Sequence, residues 1–109
     1  MLYDRWINEL WAGRRNAEDL VCADFVGHWP RRDIHGAGEL QAVVDNTRRS
    51  LEELLFVIDV SPFIQGDMVA ARWIATGSGR SGPVRLTGND ILRVMDGKVI
   101  EYWSSTARG

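Results

Sequence analysis

Asp90 lies inside Val84 to Met95, a stretch that reads as a strand, and could do chemistry if that strand turned it inwards. A carboxylate held in an apolar hollow is poorly solvated; its pKa rises and it can exchange protons near neutral pH. His28, between Gly27 and Trp29, titrates near neutrality and suits a general base, or else a hydrogen-bonded histidine at a rim. Arg72, on the neighbouring strand, would need a carboxylate partner if buried. Pairing with Asp90 would keep the acid ionised, as a base or an anchor instead of an acid, and a purely structural pair of Asp90 with Arg72 or His28 is the simpler alternative. Tyr102 offers a hydroxyl or plain packing. His35, in a glycine-flanked stretch, reads as solvated.

Other signals carry less. Two histidines and a single cysteine, Cys22, provide neither a metal-ligand spacing nor a disulfide framework. Gly77-Ser78-Gly79-Arg80-Ser81-Gly82 matches a phosphate-loop pattern literally. That pattern needs a helix after it, whereas Pro83 to Leu86 continues as a strand, so a hairpin tip is the better reading. The pairs Arg14-Arg15, Arg31-Arg32 and Arg48-Arg49 are scattered and read as solvated faces. The five tryptophans mostly lie at core spacings.

Something must position these groups. Leu2, Tyr3, Trp6, Ile7, Leu10 and Trp11 recur at spacings of three and four, which predicts a helix with one apolar stripe, stopped at Gly13. Asn16 to Asp19 predicts a second, short helix capped by Asn16. Phe25 to Trp29 predicts a strand ended by Pro30, and Arg31 to Gly38 a loop. Glu39 to Leu51 predicts a third helix. Thereafter the period changes to that of strands: Leu54 to Phe63, Met68 to Thr76, Val84 to Met95 and Lys98 to Thr106, with Asp96-Gly97 a hairpin turn. Helices early and a meander late predict an α+β fold, with helices on one face of a mostly antiparallel sheet.

Alternation on strands divides the side chains into two sets without a cleanly polar face. If Asp90 points towards the helices, Trp73, Ile91 and Trp103 point away and form an apolar patch of the kind that marks an interface. If the tryptophans are core, Asp90 is outside. Local pattern leaves the two even.

The bulk properties fit a single domain spanning residues 1–109. The 109 residues are 45% hydrophobic and 26% charged, with 13 basic and 15 acidic side chains for a net charge of −2. That balance gives no electrostatic drive towards nucleic acid or an anionic membrane. No apolar run nears the ~20 residues of a membrane span, and Leu2-Tyr3-Asp4-Arg5-Trp6 lacks the apolar core of a signal peptide, so the expected location is the cytoplasm. A core this small makes a homodimer a reasonable expectation.

Three segments carry a family resemblance: Phe25 to Pro30, Asp67 to Gly77, and above all Leu86 to Trp103, supported by Arg5-Trp6-Ile7-Asn8-Glu9-Leu10-Trp11-Ala12-Gly13. They resemble the SnoaL-like polyketide cyclases of the nuclear-transport-factor-2-like superfamily, over nearly the whole chain. The resemblance implies a cone: three N-terminal helices packed on a curved sheet enclosing a pocket, often in a dimer paired through the outer sheet face. It implies that Asp90 faces inwards, with Val26, His28, Arg72, Ile74, Leu92, Tyr102 and Ser104 on the same wall and Trp6 from the first helix. It makes Trp73, Ile91 and Trp103 dimer-face residues.

The same resemblance sets an expected chemistry. His28 falls where related ketosteroid isomerases carry their base, and Asp90 where they carry an acid that donates to the substrate oxyanion. Trp6 stands in place of their tyrosine. The Asp–Arg–Asp set of limonene-epoxide-hydrolase-like members is broken, since Ile74 and Ser104 occupy its acid positions, and Ser104-Ser105 follows Trp103 where many cyclases place an aspartate. The implied activity is a cofactor-free isomerase or cyclase that moves a proton on a small, mainly apolar carbonyl compound. His28 and Asp90 would be catalytic; Trp6, Val26, Arg72, Ile74, Leu92, Tyr102 and Ser104 would bind substrate; no metal would take part. The alternative is a non-catalytic ligand-binding or dimerisation module, favoured by Ser104 at the acid position.

Overall fold

The computed structural model describes residues 2–109; Met1 lies outside them. The chain opens with α1 (Leu2–Arg5), which runs on into a π-helical segment, Trp6–Trp11. This wider turn lets Trp6, Ile7, Leu10 and Trp11 all face the core; π-helical turns are uncommon and concentrate at functional sites. After a single 3₁₀ turn, Ala17–Asp19, come β1 (Val21–Trp29), β2 (Arg32–His35), α2 (Gly36–Ser50), β3 (Glu52–Gln65), β4 (Met68–Gly79), β5 (Gly82–Met95) and β6 (Lys98–Arg108). No helix is long and apolar enough to cross a membrane among the described residues.

All six strands form one curved sheet in the order β2-β1-β6-β5-β4-β3. Every pairing is antiparallel except β1 with β6, the crossover that brings the last strand into the middle. The fold is α+β, with two helices instead of the expected three. Asn16 starts a helix-like turn, but buried Leu20 leads directly into β1, so the segment ends after one turn. The backbone N–H of Ala17 donates to Gln41 Oε1 of α2 at 2.7 Å, which anchors the turn. The expected loop at Arg31 to Gly38 contains β2 and the first turn of α2. That helix begins where Glu39 accepts from the backbone N–H of His35 at 2.8 Å.

The core lies between the helices and the concave sheet face. It joins Tyr3, Trp6, Ile7 and Leu10 to Phe25, Leu40, Val44, Ala71, Trp73, Leu92, Val99 and Tyr102. The register decides which residues share this face. Ala71 stands opposite Asp90, and Gly88 opposite Trp73; Asp90 stands opposite Ser104, and Leu92 opposite Tyr102; Gly27 stands beside Tyr102.

Four wall residues and one dimer-face residue are therefore corrected. Val26 and His28 pair with Glu101 and Trp103 on the convex side. Arg72 and Ile74 also face outwards, Arg72 Nε donating to Asp59 Oδ2 at 2.9 Å. Trp73 faces inwards and is buried. The reason is the register of β4: Val69, Ala71, Trp73 and Ala75 form its buried row, because Ala71 and not Arg72 sits across from Asp90. Ile91 and Trp103 do face outwards, paired with one another.

Candidate active site

Asp90 is 1% exposed. Its two carboxylate oxygens accept from two phenols, Oδ1 from Tyr102 at 2.7 Å and Oδ2 from Tyr3 at 2.8 Å. Tyr3 comes from α1 and Tyr102 from β6, so the first helix and the last strand close on the acid from two sides. Burial raises the Asp90 pKa to about 6, against the pull of Tyr102, Tyr3 and Trp73, which favour the charged form. Both phenols are pushed above their ordinary range, first by their own burial and then by the neighbouring carboxylate. The phenols thus remain protonated donors while the acid titrates near neutrality.

Next to this triad lies a cavity of about 200 Å³. Its walls are aromatic: Trp11 from the π-helical segment, Trp29 at the end of β1, Phe56 from β3, Trp73 from β4 and Tyr102 from β6. Ile7, Val43 and Leu86 complete the apolar lining, and the polar groups are the hydroxyls of Thr47, Tyr102, Ser104 and Thr106. Three of those hydroxyls sit at alternate positions of β6, because alternate residues of a strand share a face. Ser104 and Thr106 hydroxyls lie 3.4 Å apart. The result is a polar stripe down one wall of an apolar chamber, with Asp90 beside Ser104 on the adjacent strand.

Gly88 is required for this geometry. A Cβ on it would overlap the Trp73 indole, so only glycine lets the ring approach β5 this closely. Phe56 meets Trp73 edge-on with ring centroids 5.3 Å apart, and Trp29 meets Tyr102 in the same manner at 5.3 Å. Such edge-to-face pairs fix ring orientation as well as adding apolar contact.

Of the expected binding residues, Tyr102 and Ser104 line the cavity. Trp6 stands behind Tyr102, ring centroids 4.8 Å apart, and Leu92 is fully buried. Sequence reasoning did not single out Trp11, Trp29, Phe56, Thr47 or Thr106 for the cavity, and assigned Trp73 to the outer face. The period-two row Tyr102, Ser104, Thr106 was the available signal for the hydroxyl stripe.

His28 belongs to a different assembly. On the convex face its Nδ1 lies 2.8 Å from Asp33 Oδ1 and its Nε2 lies 2.6 Å from Glu101 Oε2. The ring stacks on Trp103, centroids 5.4 Å apart, and the Arg93 guanidinium covers the same indole. Hydrogen bonds first to Glu101 and then to Asp33 raise the His28 pKa. No group of three or more metal-ligating side chains occurs among the described residues.

Known folds share this architecture. A candidate SnoaL-like polyketide cyclase from Jannaschia sp. CCS1 superposes with a TM-score of 0.85 at 18% identity, covering 96% of this chain and 82% of that one. A candidate polyketide cyclase from Bacillus cereus ATCC 10987 gives 0.84 at 25% identity, with 96% and 71% covered. A protein of ketosteroid-isomerase-like fold from Catenulispora acidiphila, in complex with trimethylamine, gives 0.81 at 16% identity, with 95% and 83% covered. No curated protein sequence matches this chain. The model of the SnoaL-like domain matches residues 3–102, a span that runs from Tyr3 to Tyr102, the two phenols on Asp90. By that match the chain belongs to the SnoaL-like domain family.

Proposed function

We propose that this protein is a small-molecule enzyme that moves a proton on a compact, mainly apolar carbonyl compound without a cofactor, as an isomerase or cyclase. The observation that carries the reading is the buried Asp90, held by two phenols beside an aromatic chamber and titrating at about 6. Asp90 itself does not line the cavity, whereas Tyr102 does. The two act as one acid–base group. The Tyr102 oxygen takes a proton from the carbon next to the substrate carbonyl while the phenol proton passes to Asp90 Oδ1. The reverse transfer returns a proton to the substrate at a second atom, so the dyad ends as it began. The hydroxyls of Ser104 and Thr106 donate to the substrate oxygen, where negative charge develops, and such donors are most effective in a chamber that excludes water. The dyad is competent with Asp90 ionised, so its rate rises with pH through about 6.

The test is solvent exchange. Cyclic ketones of one ring are incubated with the protein in D₂O, and loss of the α-proton NMR signal is followed. Wild type accelerates exchange; Asp90→Asn and Tyr102→Phe lower it by about 10²-fold or more. Exchange that persists in both variants refutes the mechanism.

A second reading, a non-catalytic ligand-binding module, is favoured by Ser104 where cyclases of the family carry an acid. It predicts ketone binding with no exchange in wild type. We also propose that the convex sheet face pairs two copies. Leu55, Val57 and Phe63 are 66%, 62% and 62% exposed there, and Phe63 lies in one row with Ile91 and Trp103. A dimer in light scattering that Trp103→Glu converts to monomer is the expected result; a wild-type monomer at micromolar concentration overturns the proposal.

A further inference from the structure

The aromatic chamber is flanked by unpaired positive charge. Past Thr47 and Leu86 it adjoins a depression bordered by Arg80 and Arg108. Past Trp29, Val43 and Thr106 it adjoins another, bordered by Arg31 and Arg32. Neither depression has an acidic lining residue. The four arginines are exposed, and none makes an ion pair or side-chain hydrogen bond among the described residues. Three arginines elsewhere are paired with acids: Arg15 with Glu9, Arg72 with Asp59, and Arg93 with Asp67 and Glu101. Glu52 borders Arg80 on its far side without forming an ion pair. A protein of net charge −2 thus presents free guanidinium groups on both sides of its cavity.

We propose that the ligand is a compact ring compound bearing a carboxylate, its ring among the chamber's aromatic walls and its carboxylate on the flanking arginines. This rests on the small-molecule reading above and specifies its substrate class. The chamber sets the size. A cavity of ~150 Å³ accepts benzene, so about 200 Å³ accommodates one ring and a short substituent. The lining sets the polarity inside, since its polar groups are neutral hydroxyls and a charge there would be unpaired. The anionic end therefore belongs outside, where guanidinium groups offer two-pronged hydrogen bonding to a carboxylate. Their field also draws anions towards the opening.

The experiment compares 3-phenylpropanoate with its neutral amide, read by quenching of the tryptophans that line the chamber. The acid is expected to bind at least 10-fold more tightly in low salt, with the preference shrinking towards unity in 1 M NaCl. In the combined variant Arg31→Gln, Arg32→Gln, Arg80→Gln and Arg108→Gln the preference is lost while the amide binds as to wild type, which also shows that the variant is folded. Equal affinity of acid and amide for wild type overturns the proposal and leaves the small-molecule reading standing. So does an acid preference that survives removal of all four charges. Binding of neither compound overturns both.

Discussion

Replacing Asp90 by asparagine should make the protein more stable at pH 7 than at pH 4 relative to wild type. The carboxyl titrates at an ordinary 3.8 when unfolded and at about 6 in the fold, because it is buried. A folded-state pKa raised above the unfolded one contributes stability that is complete below the unfolded value and lost as pH rises through the folded value. At about 1.4 kcal/mol per pH unit, the wild-type loss between pH 3.5 and pH 7 is about 3 kcal/mol. Asparagine is nearly the same shape, accepts from one phenol through its oxygen and donates to the other through its amide. Any imperfection in those bonds offsets the stability difference equally at every pH. The informative quantity is therefore the change in that difference, since the other carboxylates titrate alike in both proteins and cancel. Urea unfolding of both proteins at half-unit intervals from pH 3.5 to 8 measures it. The difference should move by about 3 kcal/mol in the variant's favour, mostly between pH 4 and 6, then stay flat. For a domain of this size that corresponds to more than about 10 °C in Tm. A flat difference would mean that Asp90 is solvated. Movement in the opposite direction would mean that the two phenols outweigh burial.

Other substitutions probe the rest of the site. Tyr3→Phe removes the donor to Asp90 Oδ2; a charge-assisted hydrogen bond contributes about 1.5–3 kcal/mol, so the pH midpoint of ketone exchange should rise by about 1–2 units while the rate at high pH is largely retained. Gly88→Ala places a methyl group within the Trp73 indole; the expected cost is about 1–3 kcal/mol, with the indole displaced into the cavity and phenylpropanamide binding abolished in a fluorescence titration. His28→Gln removes a group whose raised pKa stabilises below about 6.5 and loses its effect as pH rises through the folded value; thermal melts of variant and wild type should diverge in acid and converge in alkali, with cavity binding unaffected.

How far the residues alone disclosed this arrangement depended on where each polar group found its partner. In β4 the simple rule of polar outwards holds: Arg72 lies on the convex face with Asp59, and Trp73 is inside. In β5 the same rule fails, since Asp90 is inside. The phenols that make this tolerable are 87 and 12 residues away in sequence, beyond any local pattern. Family resemblance placed Asp90 correctly. Carrying its phase across to β4 required a register that no periodicity supplies: the same resemblance put Arg72 and Ile74 on the wall with Asp90, whereas Ala71 stands opposite the acid. β2 escaped notice because it is four residues long, two of them charged, and sits at the sheet edge, where charge and brevity discourage further pairing. The long meander was legible because β-branched and aromatic density persists over several strands and Asp96-Gly97 marks a turn.

The strand that carries the hydroxyl stripe also carries Glu101 and Trp103 on its reverse, so successive letters of one short word address two different compartments. Alternation keeps those addresses apart, and the irregularity where Arg93 pairs with Glu101 but Val94 with Val99 leaves Ile100 as an unopposed extra residue of β6. That one extra residue re-phases the strand, so that Val99 and Tyr102, three places apart, both stay indoors, while the glutamate and the indole keep to the weather side.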